Sequence, residues 1–167
     1  MFTKYCRFFS APARGGFGMI EMIVGAAILS VSILGISSFF RTTFEVSKTT
    51  QSAIQGDYLL EEGVEVIKIL RDSNYTNNIS RLSTTTPSYL VWNGTNWATS
   101  TVNTFIDGTF ERSIAVADVK RDINSDISGS GSYDPNTKLV TVSVAWSAKG
   151  ATTTRTIATY IANLFMN

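Results

Sequence analysis

The chain of 167 residues has no histidine, a single cysteine and three prolines. Lack of histidine excludes imidazole acid–base catalysis and His-ligated zinc. The lone thiol, Cys6, lies near the N-terminus, so the remainder can form no disulfide and must be held together by burial. No Gly-x-Ser-x-Gly elbow occurs either. With no catalytic constellation legible, the chain is not expected to be an enzyme. Charge is also scarce: Asp, Glu, Lys and Arg make up 16% of residues, with a formal net charge of +1. That balance gives no electrostatic reason to expect a nucleic-acid partner. Hydrophobic residues, at 44%, are too many for a disordered chain and suffice for one modest core.

The charges are unevenly placed. Lys4, Arg7 and Arg14 are the only ones before residue 17, leaving 11 basic and 13 acidic residues in the rest of the chain. After Glu21, Met22 to Phe40 runs for 19 positions without a charge. From Phe17 to Phe40 a helix would be about 36 Å long, enough to cross a bilayer. Three basic residues before the run and Arg41 after it predict a cytoplasmic N-terminus and an exported C-terminus. A cleaved secretory signal normally has a shorter apolar core, of about 7–15 residues. Neither a plain signal nor a plain anchor accounts for Glu21, whose carboxylate near the head of a spanning helix asks for a partner or a route to the headgroups.

A short basic leader, Gly16, then Phe17-Gly18-Met19-Ile20-Glu21 and an apolar run resembles the processing signal of type IV prepilins and type II secretion pseudopilins. The resemblance implies that a membrane-embedded prepilin peptidase cuts between Gly16 and Phe17 and methylates the new amine. Glu21 then becomes the fifth residue of the mature chain. In that setting a neighbouring subunit's carboxylate can neutralise the amine of Phe17. At 4 Å the attraction is about 1 kcal/mol in water and about 4 kcal/mol at an effective dielectric of 20. Gly18 stands where threonine is common in the family. Ser38 lies about where many major pilins carry a helix-breaking proline, which favours a minor over a major subunit.

Beyond Arg41 the helix is expected to continue. Leu59, Leu60, Gly63, Val66, Ile67 and Leu70 fall on one face, and Asp57, Glu61, Glu65 and Lys68 on the opposite one. The apolar stripe predicts docking on the protein's own sheet. A polar stretch from Asp72 to Thr86, closed by Pro87, reads as a loop. Strands are predicted at 88–92, 110–119, 138–146 and 153–164, with Lys149-Gly150 as a hairpin turn between the last two. Val140, Val142, Val144 and Trp146 share the core face. The motif VTVSVAW, followed by Gly150 and Arg155, also resembles the C-terminal strand pair of minor pilins and pseudopilins. Tyr89, Trp92 and Trp97 could form a sticky exposed patch, but packing in the core is the preferred reading.

One motif suggests a metal. Asp122, Asn124 and Asp126 have the 1-3-5 oxygen spacing of a calcium loop, although Ile127 replaces the turn glycine and Tyr133 stands at the twelfth position. The same residues also simply make turns, and a solvated loop is the reading preferred over calcium. No other cofactor is expected.

The sequence thus predicts an α+β protein: a leader over 1–16, a transmembrane and assembly helix over 17–40, an amphipathic helix over 41–71, and an extracytoplasmic β-rich head over 72–167. The function the resemblance implies is that of a minor pilin in a type IV pilus or related filament. A type II secretion pseudopilin is the alternative, and a membrane-anchored enzyme or binding domain the alternative of another class. Its implied partners are other pilins or pseudopilins, the prepilin peptidase, an inner-membrane assembly platform and membrane lipid. The implied location is a single pass in the inner membrane, then a cell-surface or periplasmic filament.

Overall fold

The computed structural model of the protein describes residues 16, 18–148 and 150–165. The chain divides into two units on either side of the Val46–Ser47 bond. One long helix, α1 (Met19–Tyr75), supplies all the regular structure described in the first unit and enters the second.

In the first unit the helix starts at Gly18, whose carbonyl accepts the N–H groups of Glu21 and Met22 at 3.0 and 3.3 Å. Glu21 lies in the first turn, where the helix dipole favours a negative charge. The large apolar side chains from Met22 to Phe40 are all exposed. This is one helix long and apolar enough to cross a membrane. Its hydroxyls turn inward on the backbone: Ser30 and Ser32 donate to the carbonyls of Ala26 and Ile28, both at 2.8 Å. Thr42 and Thr43 do the same to Ser38 and Phe39 at 3.2 and 3.0 Å.

The second unit is α+β. The helix buries Leu60, Gly63, Val66, Ile67 and Leu70 as its periodicity predicts, and Gly56 one turn earlier than the predicted stripe begins. Ideal helical geometry ends at Asn74, which has φ −169° and ψ 102°. The last turn is closed by side chains: Asn78 Nδ2 donates to the Leu70 carbonyl at 2.9 Å, and Ser73 Oγ donates to the same oxygen at 3.0 Å. A π-helical turn, Thr76–Ser80, follows within the stretch expected to be loop, and carries the fully buried Ile79.

Six strands form one antiparallel sheet: β1 (Ser88–Trp92), β2 (Trp97–Ser100), β3 (Glu111–Arg121), β4 (Ile127–Ser128), β5 (Ser132–Ala148) and β6 (Ala151–Ala162). The order is β2-β1-β3-β5-β6, with β4 paired to β3. β5 and β6 are joined through Gly150, whose φ of 79° suits the hairpin expected there. β5 extends beyond its predicted 138–146 because pairing with β3 resumes below a bulge: Asp118 pairs with Lys138, but Val119 pairs with Asp134. Pro135 falls in the skipped segment, where its missing N–H costs no ladder bond.

The core lies between α1 and the inner face of the sheet. Val140, Val142 and Val144 are fully buried, with Trp146, Ile114 and Val116 beside them and Ile67 opposite. Two glycines set the helix–sheet distance. A Cβ on Gly56 would sit 2.7 Å from the Trp146 ring, and one on Gly63 would sit 2.7 Å from Val142 Cγ1. Seven residues apart on one face, they let the helix backbone rest directly on the large side chains of β5.

Candidate functional site

The segment expected to serve as a processing signal lies only partly within the described residues. Gly16 is exposed and outside the helix, whereas Phe17 lies outside the described residues. Glu21 is exposed in the first turn and has no ion-pair partner among the described residues. Its neighbours Met22 and Ile23 are exposed as well. The arrangement is therefore one carboxylate at the head of a bare apolar helix.

Asp122, Asn124 and Asp126 lie in the connection between β3 and β4. Asp122 Oδ1 accepts the backbone N–H groups of Asn124 and Asp126 at 2.8 and 3.0 Å, and Ser125 adopts a positive φ of 66°. This is a turn closed by a side-chain acceptor. Arg121 Nη1 donates to the Ser125 carbonyl at 2.8 Å, which brings a guanidinium against the loop. Among the described residues, no three His, Cys, Asp or Glu side chains converge as a metal cluster. The rest of that guanidinium binds β5: Arg121 Nε meets Asp134 Oδ2 at 2.6 Å. The hydrogen bond from Arg121 holds the Asp134 carboxyl below the usual carboxylate range, against the opposing effect of burial. Nearby, Lys138 is buried and bound to Asp118 and to the Tyr133 hydroxyl. Burial pulls the Lys138 ammonium down, but those two partners together push it above its ordinary value.

A second place carries more chemistry than the sequence suggests. At the β1–β2 end of the sheet, Trp92 pairs with Trp97 across the hairpin, their ring centroids 5.5 Å apart and tilted by 59°. The turn is built by Asn93, whose Oδ1 accepts the N–H groups of Thr95 and Asn96 at 3.0 and 2.8 Å, and by Gly94 at φ 95°. Of the three aromatics expected in the core, Trp97 is half-buried and packs against it, whereas Trp92 is 54% exposed and Tyr89 is only half-buried. Leu90, two residue pairs further in and on the same face, is buried. The core thus ends between Leu90 and Trp92, leaving the terminal aromatic pair at its rim.

Beside this pair lies a cleft of about 350 Å³, lined by Glu62, Leu90, Trp92, Trp97, Phe105 and Arg112, among others. Arg112 is the polar anchor. Its side chain is 3% exposed, and Nη1 binds Glu62 Oε2 at 2.5 Å and the Leu59 carbonyl at 3.3 Å. The guanidinium lies 5.3 Å from the Trp97 ring centroid, and its Nε is buried without a partner. The available sequence signal was Asn93-Gly94 between two tryptophans, a hairpin cue that would have placed the rings side by side.

No protein-family model, curated protein or solved structure matches this chain.

Proposed function

We propose that the chain is a structural subunit of a pilin-like filament, held by its apolar helix in a membrane before assembly and packed through the same helix afterwards. The observation that carries this reading is the helix surface of the first unit. Large apolar side chains from Met22 to Phe40 are exposed, under a single carboxylate at Glu21. So large an apolar surface requires cover. Lipid supplies it first and neighbouring helices second. A charge at the head of the run is costly in lipid and useful in a bundle, where pairing with the Phe17 amine of an adjoining subunit fixes axial register. The second unit contributes a folded head that needs no help from the apolar helix for its own core. The reading takes in both a type IV pilus minor pilin and a type II secretion pseudopilin.

Intact-mass measurement of protein taken from its own host is the test. The mature chain should lack residues 1–16 and begin with N-methylated Phe17. Retention of Met1 would remove the pilin reading. Glu21→Gln then separates assembly from anchoring. The variant should be cleaved and should accumulate in the membrane at a level equal to or slightly above wild type, while its share in sheared filaments falls. Equal incorporation would mean that the carboxylate only reaches for the headgroups.

A further inference from the structure

We infer that the cleft between Trp92, Trp97, Glu62 and Arg112 binds a neutral saccharide, with one pyranose ring against the indoles and its hydroxyls on the Glu62–Arg112 pair. Four observations carry this. First, Trp92 is 54% exposed and Phe105 56% exposed, so large aromatic area stands bare at the mouth of a concave site. Second, polar groups converge there: Arg112 is buried with Nε unpaired, and among the described residues Glu62 Oε1 accepts no hydrogen bond while Oε2 holds Arg112. Third, the two charges cancel. A carboxylate 2.5 Å from the one cation that lines the cleft among the described residues leaves no net attraction for a phosphate, a nucleic acid or an acidic glycan.

The fourth is the mixture of donors and acceptors the site asks for. Glu62 can only accept, and Arg112 can only donate. The ligand must therefore carry both functions on one edge and an apolar face beside it. Adjacent ring hydroxyls provide the first and the C–H face of the pyranose the second. A proline-rich peptide would also stack on tryptophan, but its proline residues have no N–H and leave Glu62 without a donor.

The test uses the full chain in micelles of lauryldimethylamine oxide, because glycoside detergents would compete for the cleft. Cellohexaose, chitohexaose, maltohexaose and decaproline are titrated calorimetrically into wild type, Trp92→Ala and Glu62→Gln. At least one hexasaccharide should bind saturably, and Trp92→Ala should weaken it about tenfold or more. Trp92 lies outside the buried core, so this variant should stay folded at the titration temperature with only a small drop in melting temperature from the lost contact with Trp97, and the loss can be read as a loss of ligand contact. Glu62→Gln should weaken the same ligand while decaproline stays silent throughout. Absence of binding by all three sugars, wild-type affinity in Trp92→Ala, or binding of decaproline alone would overturn the proposal.

Discussion

Gly63 offers a test of the helix–sheet contact in which the sign of an effect should change. A Cβ at this position would stand 2.7 Å from Val142 Cγ1 and 3.3 Å from Arg112 Cδ. Val142 is fully buried and, being β-branched, cannot turn one methyl away without driving the other into a neighbour. Gly63→Ala therefore overpacks the core, at about 1–3 kcal/mol, and gains about 1 kcal/mol in helix propensity. The net effect should be a destabilisation of about 1 kcal/mol. Val142→Ala alone removes two buried methyl groups and should lose about 2–3 kcal/mol, cavity included. In that background the obstructing Cγ1 is gone, so Gly63→Ala keeps its helix gain and part-fills the cavity. It should then stabilise by about 1 kcal/mol, giving a coupling of about 2 kcal/mol. Urea denaturation of the four proteins, wild type, two singles and the double, measures each term. If Gly63→Ala shifts stability by the same amount in both backgrounds, within about 0.5 kcal/mol, the close approach at Gly63 is not the constraint described here.

A fragment of residues 47–167 should be soluble and monomeric, with mixed helix and sheet by circular dichroism, because the stripe from Leu60 to Leu70 is already covered by β5 and its neighbours; persistent aggregation would mean the stripe faces a partner. Asp134 should contribute acid-sensitive stability. Its folded pKa is depressed, so the contribution is present in full above about pH 4, the ordinary carboxylate value, and is lost as pH falls through the folded pKa. Melting temperatures from pH 7 to pH 2 should show Asp134→Asn destabilised at neutrality and converging on wild type in acid; a constant difference would contradict the assignment. Millimolar calcium should leave the melting temperature unchanged, since Asp122 Oδ1 is already bound by two backbone amides and Arg121 faces the same loop; a rise would establish an ion site, because a ligand of the native state must stabilise it.

Periodic elements were readable in advance, and isolated ones were not. The stripe from Leu60 to Leu70 and the alternation from Val140 to Trp146 repeat often enough to reveal a face, and both faces are buried as expected. Tyr75, Ile79 and Leu82 are scattered apolar residues in a polar stretch with no period to reveal a face, so their burial depends on contacts far along the chain. β2 has four residues and β4 two, too few to display alternation. Arg112 sits on the apolar face of β3, between Phe110 and Ile114, and its partner lies fifty positions earlier in α1. Nothing local in the sequence joins the two. The cleft was missed for the same reason: its tryptophans come from a hairpin, Phe105 from the connection after it, its carboxylate from the helix and its guanidinium from β3. The N-terminal candidates Gly16, Phe17 and Glu21, by contrast, lie within six consecutive positions, so that reading asks nothing of the fold.

The hydroxyl groups of the first unit alter how hospitable that segment is to hydrocarbon. A free hydroxyl carried from water into an alkane-like medium costs several kcal/mol, roughly 4–8 with no partner at all. Ser30, Ser32, Thr42 and Thr43 arrive with their protons already committed to carbonyls four residues back. Their transfer penalty is thus largely discharged within the helix, and a residue-by-residue polarity count overstates the segment's aversion to lipid. Thr42 and Thr43 also soften the boundary after Arg41, where the apolar run would otherwise end abruptly. Were this helix placed in a bilayer, that saving, and not only the length of the uncharged run, would set where it leaves the hydrocarbon.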